Sequence, residues 1–256
     1  MPAQPDPANL SVGQFAERYR REMIPLGKQF SYYFAALPLT DEDIKEYLEE
    51  PIAALPASIA SKLPKVFILL VPYLEKVQGR DRAVAGRQAD MVRLEKPSQN
   101  RVSWTSCVVS KEETLLAFAL KDQEVADYHY RFYHLLSALM SQYWTEDAQR
   151  QYFTLVREEL AADVHGEVDE ESWHLKQSLV RRANKVGRET KMFREYARQS
   201  FIDTLTLYLH GICCDIDVET GPRQLPSRFL RKRLTLLQSL YPPPAGYAIF
   251  PEEKKR

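Results

Sequence analysis

Residue types that bind metal ions cluster twice along the chain. His165, Glu170, Glu171 and His174 lie close together, and His210, Cys213, Cys214, Asp215 and Asp217 form a second group. Imidazole, thiolate and carboxylate are zinc ligands, and a catalytic zinc takes three of them plus an open position. A metal-dependent hydrolase would draw on His165, Glu170, His174 and His210. The spacing contains no H-E-x-x-H and no C-x-x-C. Both His165 and His210 precede a glycine, where the periodicity places a helix end. There glycine takes the left-handed C′ position and the helix dipole favours histidine. This capping role outweighs metal binding. No cofactor is expected, and zinc is the alternative.

Three further patterns are weaker. Asp215, Asp217 and Glu219 alternate as in a calcium loop, but Gly221 falls one position late and Pro226 occupies the place of the bidentate glutamate. Asp127, Arg131 and His134, spaced four and three, share one helix face, where a salt-bridged polar face is the plainer explanation than a general base. His129 is expected to pack in the core. Cys213 is placed past a helix C-terminus, where the dipole disfavours a thiolate nucleophile.

The strongest pattern is basic. Lys176, Arg181, Arg182, Lys185, Arg188, Lys191, Arg194 and Arg198 stand against only Glu189 and Glu195. Arg181, Lys185, Arg188, Lys191 and Arg194 share one side if a helix bridges Gly187. Arg228, Arg231, Lys232 and Arg233 add a second patch. Such rows match phosphates, because each cation neutralised on binding releases a counterion. Tyr196 and Phe229 would add stacking. The competing role is pairing with the chain's own acids: Glu158 to Glu171 carries seven carboxylates and no lysine or arginine. Antiparallel helices would bring the two blocks together.

The bulk numbers set limits on all of this. The chain has 256 residues with 35 basic and 35 acidic side chains, so bulk electrostatic capture of nucleic acid or anionic lipid is not the default. Three cysteines, two of them adjacent, make no disulfide framework and point to a reducing, cytoplasmic compartment. The first nine residues have no basic and apolar signal pattern. The longest apolar run, Val66 to Tyr73, is far shorter than the roughly 20 residues of a membrane helix.

The elements that must position these residues read as mostly α: a multi-helix, bundle-like domain with a small antiparallel β-meander inserted near residues 90–121. Residues 1–10 read as a disordered N-terminus. Ser11 with Gln14, and Thr40 with Asp43, are capping boxes. Phe15, Tyr19, Met23, Leu26, Phe30 and Tyr33 follow helical spacing, with a kink at Pro25. Pro56, Pro64 and Pro72 divide the next stretch into short helical pieces, with Val66 to Leu74 deeply buried. Residues 80–89 read as a loop. Asp90 to Glu95, Arg101 to Val109 and Thr114 to Lys121 read as the strands of the meander, with a hairpin at Ser110 to Glu113. Helices are expected from Gln123, over Glu146 to Val164, over Asp169 to Val186, from Glu189 to Gly211, and over Ser227 to Tyr241. Asp215 to Leu225 reads as a loop.

The expected organisation is an N-terminal helical region plus meander (11–121), a C-terminal bundle (122–241) and a Pro-rich, charged tail (242–256), with all of it in one domain as the alternative. The expected function is that of a soluble interaction or regulatory protein. It would bind another macromolecule without catalysis, first of all another protein, with nucleic acid as the alternative and no membrane. The residues for a nucleic-acid or acidic partner are Arg181, Lys185, Arg188, Lys191, Arg194, Arg228, Arg231 and Lys232.

Overall fold

A computed structural model describes residues 10–77, 90–110, 112–181, 189–214 and 225–250. The chain divides into two compact units, Met1–Glu49 with Leu63–Tyr128, and Glu50–Lys62 with His129–Arg256.

The first unit is built on sheet. Helix α1 (Val12–Tyr19) opens as expected: Ser11 Oγ accepts the Gln14 amide at 3.3 Å and Gln14 Oε1 accepts the Ser11 amide at 3.0 Å. The helical spacing does not carry on. After a 3₁₀ turn (Arg20–Glu22) the chain forms strands β1 (Ile24–Leu26) and β2 (Phe30–Phe34), paired antiparallel around Gly27, whose φ of 77° suits a residue without a side chain. Pro25 lies in β1, at the sheet edge, where a missing N–H costs no ladder bond. The Phe30 to Phe34 run is aromatic at four of five positions, a composition that favours strand over helix. Tyr33 still meets the face of α1, stacking on Tyr19 at 4.7 Å between ring centroids.

A second capping box, Thr40 with Asp43, starts α2 (Asp41–Ile44), which runs through a π turn (Lys45–Glu49). The stretch expected to be short helical pieces is strand β3 (Lys65–Val71), followed by β4 (Tyr73–Lys76). β3 is the centre of a five-stranded mixed sheet that also holds β7 (Thr105–Val109) and β8 (Glu113–Ala119), in the order β1-β2-β3-β8-β7, and it pairs parallel with both neighbours, β2 and β8. A parallel central strand buries both faces, so its sequence is a continuous apolar run with no alternation to betray it. Ile68, Leu69, Leu70 and Val71 are all fully buried. One face of the sheet, through Leu69, Val71, Leu115, Ala117 and Ala119, packs on Val12, Phe15 and Ala16 of α1.

The expected meander is therefore corrected. Its three segments are strands, but they serve two sheets. β5 (Asp90–Arg93) and β6 (Val102–Ser103) flank β4 in a three-stranded antiparallel sheet of order β5-β4-β6. β7 (Thr105–Val109) and β8 form the expected hairpin, closed by the Ser110 amide donating to the Glu113 carbonyl at 2.9 Å, at the edge of the larger sheet. Among the described residues 53% are helical and 18% lie in the strands of two sheets, so the fold is α/β and not a mostly helical bundle.

The second unit is helical. It holds α3 (Glu50–Ala53), α4 (Ala57–Ala60), all but the first turn of α5 (Val125–Met140), α6 (Glu146–Ala161), α7 (Glu170–Val180), α8 (Lys191–Cys214) and α9 (Ser227–Leu240). Thr145 caps α6 and Asp169 caps α7. α8 is the core: every residue from Ser200 to Ile212 is buried, the mark of a helix surrounded by others. α6, α7 and α9 pack against it. Gly211 does not end α8, although the periodicity places a helix end at the His210–Gly211 pair. It lies inside the helix, buried, and the helix runs on to Cys214. Gly166 does adopt a positive φ, 76°, in the link between α6 and α7.

Candidate functional site

The basic residues divide into three fates. Lys185 and Arg188 lie outside the described residues, as do Arg182 and the acidic run of the calcium pattern. Two others are not on the surface. Arg233 and Lys176, counted with the basic patches, are buried and neutralised by the acidic block. Arg233 lies on the inner face of α9 and spreads its guanidinium over two carboxylates. Its Nη1 donates to Glu167 at 2.7 Å and to Ser200 Oγ at 2.7 Å, and its Nε donates to Glu159 at 3.0 Å. Lys176 Nζ donates to the Gly166 carbonyl at 2.8 Å and stands 3.6 Å from Glu167. Tyr196 donates to Glu167 from α8. Burial works to raise the Glu167 carboxyl, but Arg233 overrides it and holds the group at about 2. Burial lowers Lys176. Two cations and two anions thus cancel where α6, α7, α8, α9 and the Gly166 link meet. The Arg233 guanidinium thereby joins α9 to α6 and to the link between α6 and α7.

The third fate is a groove. Lys191, Arg194 and Arg198, at steps of three and four on the outer side of α8, line a cavity of about 670 Å³ with His174 of α7. Leu175 and Ile202 give it an apolar part, and Glu171 and Glu195 add two acids. Arg198 donates to Ser141 Oγ at 3.0 Å, while Arg194 stands 3.8 Å from Glu189. Arg181 is exposed at the end of α7. On α9, Arg228 lies over the Phe229 ring at 4.6 Å and Lys232 at 6.0 Å, and Arg231 over Phe250 at 4.3 Å. Phe229 is thus flanked by its own helix's cations. Tyr196, the other residue expected to stack on bases, is buried against Glu167.

Of the residues expected at a zinc hydrolase site, His174 Nε2 lies 3.3 Å from Glu170 on an exposed turn of α7. His165 is exposed. His210 is buried within α8, its ring 6.2 Å from those of Tyr130 and Tyr133. These four residues contribute to no group of three ligand atoms among the described residues. Cys213 and Cys214 do contribute to one, with a different histidine. Their sulfurs and a ring nitrogen of His129 all lie within 4.8 Å of one another, with His129 Nδ1 3.1 Å from Cys214 Sγ. His129 sits on α5 and the cysteines in the last turn of α8. Hydrogen bonding from Cys214, joined by Tyr133 and opposed by burial, brings the Cys213 thiol down to about 7, while Cys214 is pushed up. His129 is buried, as its place one turn from Val125 leads one to expect. Its partner lies 85 residues away, beyond any local spacing rule. The adjacent cysteines were the one signal available.

A fourth cluster joins α5, α7 and α8. Tyr130 donates to Asp169, the cap of α7. His134 is half-buried, and burial lowers its pKa against the pull of Asp169 and Glu171. Asp203 is buried on α8 with Gln199 Nε2 donating to it at 2.8 Å. Burial, reinforced by Asp169 and Glu171, raises the Asp203 carboxyl to about 7.

No family model, no curated protein and no solved structure matches the chain. Among the described residues no helix is long and apolar enough to cross a membrane.

Proposed function

We propose that the chain is a non-catalytic binding protein that receives an acidic segment of another protein in the groove between α7 and α8. The observation that carries this reading is the convergence of Lys191, Arg194, Arg198 and His174 on one cavity that also contains Leu175 and Ile202. Three cations and an imidazole around an apolar patch suit a peptide with carboxylates flanking an aliphatic or aromatic anchor. Charge sets orientation and encounter rate, and the buried anchor supplies affinity. Glu171 and Glu195 count against the alternative partner, nucleic acid, because they would face a continuous row of phosphates. Arg181, at the C-terminal end of α7, and Arg228, Arg231 and Lys232, in the first half of α9, are not among the residues lining the groove and are left as auxiliary contacts. The sparse, odd cysteine count with an adjacent pair is the ground for placing the chain in a reducing, cytoplasmic setting.

The test is fluorescence anisotropy with labelled acidic peptides bearing one Leu or Phe, against single-stranded DNA of equal charge. Peptide binding that drops at least about tenfold in Arg194→Glu/Arg198→Glu supports the reading. Equal binding of DNA, or peptide binding indifferent to the double charge reversal, defeats it.

A further inference from the structure

We infer that His129, Cys213 and Cys214 form a binding site for one thiophilic divalent cation, zinc in the first instance. The argument starts from ligand chemistry. Two thiolates and an imidazole are the donors of borderline-soft ions, and magnesium or calcium would require oxygen. Tetrahedral zinc holds sulfur at about 2.3 Å and nitrogen at about 2.0–2.1 Å, which sets ligand atoms roughly 3.4–3.8 Å apart. The three donors, all within 4.8 Å of one another, already span that scale. The 3.1 Å approach of His129 Nδ1 to Cys214 Sγ opens by a few tenths of an ångström on binding.

The scaffold is suited to hold them. His129 is buried on α5, and the two cysteines, half-buried, close the final turn of α8, the unit's most buried helix. One turn beyond His129 on α5, Tyr133 donates to the Pro51 carbonyl at 3.0 Å, tying α5 to α3 beside the cysteines. Three protein donors leave the fourth position of a tetrahedral ion for water or an incoming donor. Binding would clamp the end of α8 to α5. The site shares no residue with the groove of the proposed function, so the two readings stand or fall separately.

The experiment uses the full chain, reduced and stripped with chelator, then incubated with zinc alone and, separately, cobalt(II) alone. The expected result is about one equivalent of zinc retained after desalting, and a thiolate-to-cobalt charge-transfer band of tetrahedral type. Cys213→Ser/Cys214→Ser abolishes the band, and His129→Gln weakens zinc retention at least about tenfold. Circular dichroism identifies any variant that fails to fold. In that case Cys214→Ser alone, which removes a single sulfur, replaces it and must reduce the band. Retention below about 0.1 equivalent by the wild type, or a cobalt band that persists without the two sulfurs, overturns the assignment.

Discussion

Arg233 and Glu167 meet at 2.7 Å with neither side chain exposed to solvent. They come from α9 and from the link between α6 and α7, and Glu159 shares the same guanidinium. Taking these charges out of water is expensive, and mutual attraction with full hydrogen bonding offsets the cost. Removing one partner leaves the others stranded. Arg233→Met should lower unfolding free energy by about 3–5 kcal/mol. Arg233→Lys keeps the charge without the planar fork and should recover only part of that. Urea denaturation followed by far-UV circular dichroism measures both, and a loss under about 1 kcal/mol for Arg233→Met would show the cluster to be incidental.

The same carboxylate sets acid sensitivity. Arg233 holds Glu167 at about 2, below its ordinary 4.5. A depressed carboxyl contributes stability that is complete above the unfolded value and disappears as pH falls through the folded one. The melting temperature should therefore decline between pH 4.5 and 2. Glu167→Gln should be less stable at pH 7 and show a shallower decline across that window.

Asp203 has the opposite sign. Burial, aided by Asp169 and Glu171, raises it from 3.8 to about 7. The folded state retains the proton more tightly than the unfolded chain, so this contribution is complete below pH 3.8 and is lost as pH rises to 7. Asp203→Asn keeps the hydrogen-bonding shape and cannot ionise. It should be more stable than wild type at pH 8 and close to it at pH 4. Each tenfold difference in proton affinity between the folded and unfolded carboxyl contributes on the order of 1.4 kcal/mol to that gap. Thermal melts at the two pH values decide this, and a variant less stable at pH 8 would contradict it.

At the groove, peptide affinity should weaken as salt rises, because the rim cations are solvent-facing and screened. Arg198→Ala should also cost more than Arg194→Ala. Arg198 is anchored by Ser141 and ordered before binding, whereas Arg194 stands beside Glu189. Titrations at two ionic strengths would check both statements.

Local rules explain which parts of this protein were legible in its residues. The capping boxes at Ser11 with Gln14 and Thr40 with Asp43 stand as read, because each is decided within four residues. The C-terminal helices lie within a few residues of their expected bounds at most ends, because amphipathic periodicity is a local signal of what faces a core. Periodicity failed at Phe30 to Phe34 and Val66 to Val71. Val66 to Val71, an apolar run buried on both faces, looks the same in a strand as in a helix, and parallel pairing between the two distant segments made both of them strand. Whether a charge faces water was equally non-local. Nothing around Arg233 and Lys176 distinguishes them from Lys191 and Arg194, yet packing of α9 and α7 buried the first pair against Glu159 and Glu167. The metal-ligand residue types were visible from the start, but their partners were not. Folding separated His165 and His210 from a common group and brought His129 to Cys214, because side chains converge only where helices distant in sequence pack together.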